Sequence, residues 1–121
     1  MTTNDTYLAV FTGSKTSARR AAWDALADAQ RRAKEQEGIA AWKAWADKHH
    51  ASIVAIGGPL GKTKKVAAEG ISDISNQLGA FTIVRASSHE AAARMFDKHP
   101  HYTIFPGDAV EVMPILAIPG G

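Results

Sequence analysis

The sequence of 121 residues contains no cysteine. The lack of thiols excludes disulfides, thiol catalysis, redox chemistry of the CxxC type and zinc or iron–sulfur sites held by cysteine. No apolar run reaches the roughly 18 residues of a membrane span. The first residues also lack the basic start and the apolar stretch of a signal peptide. We therefore expect a cytoplasmic protein with no membrane partner.

Neither sign of charge predominates, because the chain has 14 Lys and Arg and 12 Asp and Glu, which gives a net charge of +2. A net charge this small does not by itself indicate a nucleic-acid partner. The composition, 45% hydrophobic and 21% charged, predicts one domain over residues 1–121, with a core at 7–118 and a loop-rich connector at 61–78. The cations form two clusters, which are Lys15, Arg19 and Arg20, and Lys62, Lys64 and Lys65. Each cluster is either solvated surface or an anion site.

Hydrophobic patterning predicts four strands and two helical regions. The strands are expected at residues 7–12, 51–56, 80–85 and 109–116. Between the first two strands, strong helix formers run from 18 to about 49 and predict a long helix kinked at Gly38, or two helices in succession. A second helical region is expected at 88–98, where Ser87 and Glu90 have the spacing of a capping box.

The order strand, helix, strand, strand, helix, strand is that of the ferredoxin-like α+β fold. It predicts a four-stranded antiparallel sheet with both helices on one face, and Pro114 favours an edge position for the last strand. The first strand is apolar on both faces, with Leu8 and Val10 opposite Tyr7. A sheet that is apolar on both faces needs a cover on each. Either a second copy provides it, in a dimeric α/β barrel, or the connector folds over the free face.

The most unusual segment is 99–108, which we interpret as the candidate catalytic segment. His99 and His101 are candidate acids or bases near neutral pH, and Asp108 is a carboxylate that can orient an imidazole. The alternative is structural, with His99 capping a helix and a turn at Pro106-Gly107. No third metal ligand lies nearby in the sequence, so we expect no metal and no cofactor.

Three arginines are the candidate ligand-binding residues, because paired N–H donors suit an acidic group. They are Arg19, Arg20 and Arg85. The first two flank a helix start, where cations either complement an anion or point to solvent. Residues 57–63 resemble a phosphate loop, but only three residues separate Gly57 from the Gly-Lys-Thr group, where the pattern needs four. The three tryptophans are expected in the core or in a pocket wall.

Four motifs occur in a fixed order along the chain. They are Gly57-Gly-Pro-Leu60, residues 78–86 before a Ser-x-x-Glu helix, His99-Pro100, and residues 111–115. Together they resemble the YCII-related (DGPF-type) family over residues 7–118. The resemblance implies a dimeric α/β barrel. In that family some members are proposed to be enzymes with a His–Asp pair, and others accompany regulatory proteins.

The chain departs from this family at its proposed catalytic pair. The positions of the early helical His and of the Asp after Gly-Pro-Leu hold Arg19 or Arg20 and residues 61–62. The usual Glu-x-Arg-Pro ending carries Met113 in place of arginine. The His–Asp chemistry is therefore not carried over, and any acid or base is expected from residues 99–108.

These features predict a homodimeric small-molecule-binding barrel that acts as an acid–base enzyme on a polar or acidic organic substrate. The alternative is a noncatalytic binding or protein-interaction module on the same fold. A third function, RNA binding, is typical of some ferredoxin-like domains. The third strand has Phe81 and Arg85 but lacks the Gly-Phe-x-Phe pattern of RNA-binding strands. A nucleic-acid partner is therefore not expected.

Overall fold

A computed structural model describes residues 5–120, which form ten helices and strands and one short 3-10 turn. The strands are β1 (Asp5–Thr12), β2 (Ile53–Pro59), β3 (Thr63–Ala67), β4 (Gly70–Ile74), β5 (Leu78–Ala86) and β6 (Ala109–Pro114). The helices are α1 (Ala18–Asp24), α2 (Asp28–Lys48), α3 (His89–Arg94) and α4 (Pro100–Thr103). None of the helices within residues 5–120 has both the length and the apolarity to cross a membrane.

Four strands form one antiparallel sheet in the order β2-β5-β1-β6. This is the strand order of the ferredoxin-like fold, so the predicted α+β class is confirmed. In the centre of the sheet, Ala9 of β1 lies opposite Thr82 of β5 and Val112 of β6. β6 forms one edge, which explains how the strand accommodates Pro114.

The core lies between one face of this sheet and the helices. Alternate residues of β1 and β5 point into it and are buried together with aromatic residues of α2 and of the turn after α3. The largest of these side chains are Tyr7, Phe11, Val84, Trp45 and Phe96. Period-two alternation along the strands thus supplies the apolar layer that the helices cover.

The other face of the sheet, here called the open face, carries Leu8, Val10, Phe81, Ile83, Val54 and Met113. It is apolar yet incompletely covered, because Val54 is 47% exposed and Met113 is 38% exposed. The connector does not fold over it. Instead β3 and β4 form a hairpin whose strands contact chiefly each other, with Val66 directly opposite Ile71.

The predicted kink at Gly38 is wrong. The helical region divides at residues 25–27, where α1 ends and α2 begins, and α2 continues through Gly38 to Lys48. Gly38 is buried, and a Cβ there would overlap the ring of Phe105. This glycine therefore allows an aromatic ring to approach the helix closely, and the helix tolerates its low propensity.

The predicted cap of the second helical region is shifted by one residue. Ser88, not Ser87, is the N-cap of α3, and its hydroxyl accepts the N–H of Ala91 at 3.0 Å. Glu90 does not reach back to the cap, because it pairs with Arg94 at 3.0 Å. The helix is also shorter than predicted and ends at Arg94.

The second strand continues past the glycines that were expected to end it. β2 runs to Pro59 with a register shift against β5 between Ala55 and Gly58. Gly57 lies within this irregularity with a φ of 66°, and a Cβ there would overlap the carbonyl oxygen of Phe81. The bulge therefore requires glycine. The residues that resembled a phosphate loop lead from this strand into β3.

Candidate functional site

Several loops lie together at one end of the sheet, where the strands begin or end. β1 and β2 run parallel to each other on either side of β5, so both finish at this end. β5 and β6 begin at the same end because they run antiparallel to β1. The loops that follow β1 and β2 and the segment that precedes β6 therefore lie together. This arrangement opens a cleft between the body of the protein and the β3–β4 hairpin.

This hairpin cleft has a volume of about 1020 Å³, the upper end of the ~300–1,000 Å³ typical of small-molecule sites. Its floor includes residues 13–15 and 77–79, and its hairpin side includes residues 60–64. Arg20, Trp23 and residues 73–76, 101 and 105–107 complete the lining. The volume and the loop-built walls suit a small organic ligand.

His101 is the predicted catalytic residue that lines the cleft. Its Nε2 lies 2.7 Å from the carbonyl oxygen of Thr12. Because a carbonyl only accepts hydrogen bonds, Nε2 carries the proton and Nδ1 keeps its lone pair. Burial lowers the pKa of His101, which favours the neutral ring at neutral pH, although the Thr12 carbonyl and the charge of Asp108 act in the opposite direction.

Gly107 holds this imidazole from behind. A Cβ on Gly107 would overlap Nε2 and Cε1 of the His101 ring and the carbonyl oxygen of His101. The backbone N–H of Gly107 donates to that same carbonyl at 3.0 Å. The next N–H, that of Asp108, donates to the carbonyl of Thr12 at 2.9 Å. The turn after α4 is thus fastened to the end of β1 and fixes the ring between them.

His99 lies only two residues away but is completely buried. Its ring packs among four aromatic side chains, with centroid distances of 4.5 to 5.9 Å to Phe11, Trp42, Trp45 and Phe96. Nδ1 accepts the backbone N–H of His101 at 3.0 Å, so His99 caps α4. The proton therefore sits on Nε2, which has no hydrogen-bond partner among residues 5–120.

The burial of His99 decides its chemistry. Burial, with smaller effects from His101 and His49, lowers the pKa of His99 to about 4. His99 does not line the hairpin cleft. The ring is neutral at neutral pH and has no route to a ligand there. These contacts support the alternative that His99 has a structural role as a helix cap. It caps the beginning of a helix, however, and not the end of one.

Asp108 lies outside the hairpin cleft. It is exposed and lines a separate groove of about 500 Å³ with Tyr102 and Val110. Its backbone N–H, and not its carboxylate, makes the contact with the end of β1. The carboxylate influences His101 through its charge. The expected imidazole–carboxylate pair is therefore replaced by an imidazole–carbonyl pair.

The structure places the three predicted ligand-binding arginines in three different surroundings. Arg20 lines the hairpin cleft, with its Nε 3.3 Å from Asp24. Arg19 donates to the carbonyls of Tyr102 and Phe105, which ties α1 to the segment after His99. Arg85 lies six residues along β5 from Gly79, about 20 Å from the cleft at the rise of a strand.

The cleft also contains cations from both basic clusters of the sequence. Lys15 comes from the loop after β1, whereas Lys62 and Lys64 come from the start of the hairpin. Sequence reasoning treated these clusters separately and did not assign the lysines to the site. The signal that could have joined the two clusters is the parallel direction of the first two predicted strands. Loops that follow parallel strands lie at the same end of the sheet.

Comparison with solved structures gives a match to 5-chloro-2-hydroxyhydroquinone dehydrochlorinase (TftG) from Burkholderia phenoliruptrix, in complex with 2,5-dihydroxybenzoquinone. The identity is 18%, the match covers 89% of this chain and 90% of that chain, and the TM-score is 0.50. At this identity the likeness shows the fold. No protein-family model matches the chain, and no curated protein does. Membership of the YCII-related family remains a prediction.

Residues 5–120 contain no group of three His, Asp or Glu side chains arranged to hold a metal ion. The chemical groups of the cleft are the imidazole of His101, the ammonium and guanidinium groups of Lys15, Lys62, Lys64 and Arg20, the carboxylate of Asp73, and the hydroxyl and amide groups of the hairpin base. This set can bind an anion and transfer a proton.

Proposed function

We propose that the protein is a homodimeric, YCII-related small-molecule-binding barrel that performs acid–base chemistry on an acidic organic substrate in the hairpin cleft. The observation that carries this proposal is the state of His101. Its Nε2–H is engaged by the Thr12 carbonyl at 2.7 Å, and its pKa is lowered by burial. A neutral imidazole of fixed tautomer beside a cleft can accept a proton at Nδ1.

The charges around His101 support an acidic substrate. Four cationic side chains line the cleft, Lys15, Arg20, Lys62 and Lys64, against one carboxylate, Asp73. A carboxylate bound to these cations would be held beside the imidazole. The same cations would stabilise the negative charge that develops on the substrate when its proton leaves.

The alternative, a noncatalytic binding module, is favoured by one observation. Asp108, the predicted carboxylate partner, lies outside the cleft, so no carboxylate strengthens His101 as a base by direct contact. Under this alternative the imidazole serves as a hydrogen-bond acceptor for a ligand. The two functions agree on the site and differ in whether a proton moves.

Proton transfer is measured directly by exchange of substrate C–H for deuterium. Small carboxylic acids with an acidic C–H, such as 2-oxo acids, are incubated with the protein in D₂O and followed by proton NMR. His101→Gln should slow exchange by about 10²-fold or more. The glutamine Nε2 can still donate to the Thr12 carbonyl, so the fold is kept. His50→Gln, which changes an exposed histidine outside the cleft, is the control.

If acids bind in the cleft but exchange is no faster than in buffer, the noncatalytic module is the correct function. If His101→Gln exchanges as fast as the wild type, His101 is not the base.

The open face supports the dimer. Val54 and Met113 are 47% and 38% exposed on a sheet face that also carries Leu8 and Ile83. A contiguous apolar face of this kind marks an interaction surface, and the connector leaves it free. A second copy would cover it by packing sheet against sheet. Light scattering should therefore give twice the chain mass of 12.9 kDa. Met113→Lys should yield a monomer, and a monomeric wild type would contradict the dimer.

A further inference from the structure

Two aromatic side chains form one wall of the hairpin cleft. Trp23 of α1 and Phe105 both line it, and both are half-buried. Their ring centroids are 5.8 Å apart with an interplanar angle of 48°, so they contact each other and present a continuous aromatic wall. Phe105 is backed by Gly38 of α2, where a side chain would collide with its ring. The Phe105 side of the wall is therefore packed against α2 before any ligand binds.

The cations of the cleft are concentrated and partly unpaired. The four cations and the one carboxylate give the lining a net charge of +3, whereas the whole chain carries only +2. Arg20 is paired with Asp24, and Lys64 is paired with Asp73 at 2.5 Å. Lys15 and Lys62 make no ion pair among residues 5–120. These two ammonium groups are available to a ligand anion.

An aromatic wall and two ammonium groups without ion-pair partners among residues 5–120 recognise different parts of a molecule. Rings favour a flat, conjugated surface, because stacked and edge-to-face contacts add to the burial of apolar area. Ammonium groups are compact point charges and suit a carboxylate. A ligand that satisfies both is flat over most of its length and anionic at one end.

We infer that the hairpin cleft binds a planar conjugated carboxylic acid, with its flat part against Trp23 and Phe105 and its carboxylate at Lys15 and Lys62. The inference rests on the proposed function, since it names the substrate class of the same site. His101 lines the same cleft as the two aromatic side chains.

The test compares a planar aromatic acid with a saturated acid of similar size, and uses an uncharged ring and a ringless anion as controls. Protein labelled with ¹⁵N is titrated with benzoate, cyclohexanecarboxylate, benzyl alcohol and inorganic phosphate, and the amide shifts of Gly61 and Lys62 are followed by NMR. Benzoate should bind about threefold to tenfold more tightly than cyclohexanecarboxylate, the range expected from aromatic contacts. Benzyl alcohol, which has the ring without the charge, and phosphate, which has the charge without the ring, should both bind more weakly than benzoate.

Two variants separate the parts of the site. Trp23→Leu should remove the preference for benzoate and leave the affinity for cyclohexanecarboxylate unchanged. Lys62→Gln should weaken both acids by the same factor. Lys43→Gln is the matched control, because Lys43 is an exposed lysine of α2 that does not line the cleft.

Equal affinity of the wild type for benzoate and cyclohexanecarboxylate, with both weakened by Lys62→Gln, would overturn the planar ligand and leave the proposed acid site intact. Tighter binding of phosphate than of benzoate, independent of Trp23, would also overturn it. If no anion shifts the amides of the cleft, both this inference and the proposed function fail.

Discussion

His99 and His101 are two residues apart, and the protein treats them in opposite ways. The ring of His99 is sealed among aromatic side chains, with one nitrogen capping α4 and the other without a hydrogen bond among residues 5–120. The ring of His101 lines the hairpin cleft and is aligned by the Thr12 carbonyl. His99 is the N-cap of α4 and His101 lies in its first turn, so the start of this short helix directs one imidazole inward and the other to the cleft edge.

The comparison shows that chemistry at this site depends on access as well as residue type. Both rings are neutral at neutral pH because burial lowers both pKa values. Only His101 combines a neutral ring with a place in the cleft. His99 contributes indirectly, because its Nδ1 accepts the N–H of His101 at 3.0 Å and so fixes the backbone that carries the second imidazole.

The largest expected effect is the loss of folding stability in acid that the buried ring of His99 causes. The pKa of His99 falls from 6.5 in an unfolded chain to about 4 in the folded protein. The unfolded state therefore binds this proton more readily, and stability that is present above pH 6.5 is lost as the pH falls towards 4. The loss attributable to His99 is about 3 kcal/mol, because each pKa unit corresponds to ~1.4 kcal/mol. Urea unfolding at pH 7, 6, 5 and 4 measures it.

His99→Phe keeps a ring among the aromatic neighbours and cannot be protonated. Its stability should fall much less between pH 7 and pH 4, because it keeps the smaller contributions of His101 and His49, whose pKa values are also lowered, and loses that of His99. An unchanged slope in His99→Phe would show that the sealed ring is not what acid disrupts.

The next effect concerns the ring in the cleft. Gly107→Ala places a methyl group where Nε2 and Cε1 of His101 now lie. We expect a loss of about 2 kcal/mol in the free energy of unfolding, as for overpacked sites, together with loss of the His101–Thr12 hydrogen bond in NMR spectra. Gly61→Ala is the control in the same cleft, because a Cβ there meets no atom within 4 Å. Equal effects of the two substitutions would contradict the role of Gly107 in holding the imidazole.

The same contrast explains how much the sequence could predict. The order of the six main elements was predictable because each strand is a short apolar run and the helical regions are rich in strong helix formers. The prediction of a kink at Gly38 was wrong because it rested on the low helix propensity of glycine. In the structure, glycine is needed there so that the ring of Phe105 can approach the helix. The hairpin was only partly predictable, since its apolar residues, Val66 and Ile71, remain 75% and 70% exposed and leave no strong alternating pattern.

The site was less predictable than the fold. The segment 99–108 is recognisable by its composition. The sequence does not distinguish the buried His99 from the cleft-lining His101, because the two differ only in the neighbours that the fold brings to them. His99 is enclosed by residues from β1, α2 and the turn after α3, which lie far apart in the sequence. Arg85 was grouped with the other arginines by residue type alone, although it lies at the opposite end of its strand.

The smallest expected effect concerns the charges near His101. Asp108 raises the pKa of His101 and Arg19 lowers it, both through their charges, after the larger effects of burial and of the Thr12 carbonyl. Asp108→Asn should therefore lower this pKa and Arg19→Gln should raise it, as read from the His101 Cε1–H signal in an NMR titration. The pKa of His99 should stay near 4, because its causes are burial, His101 and His49. If Asp108→Asn leaves the His101 titration unchanged, the carboxylate has no part in tuning the base. The Thr12 carbonyl would then be the principal group that opposes burial.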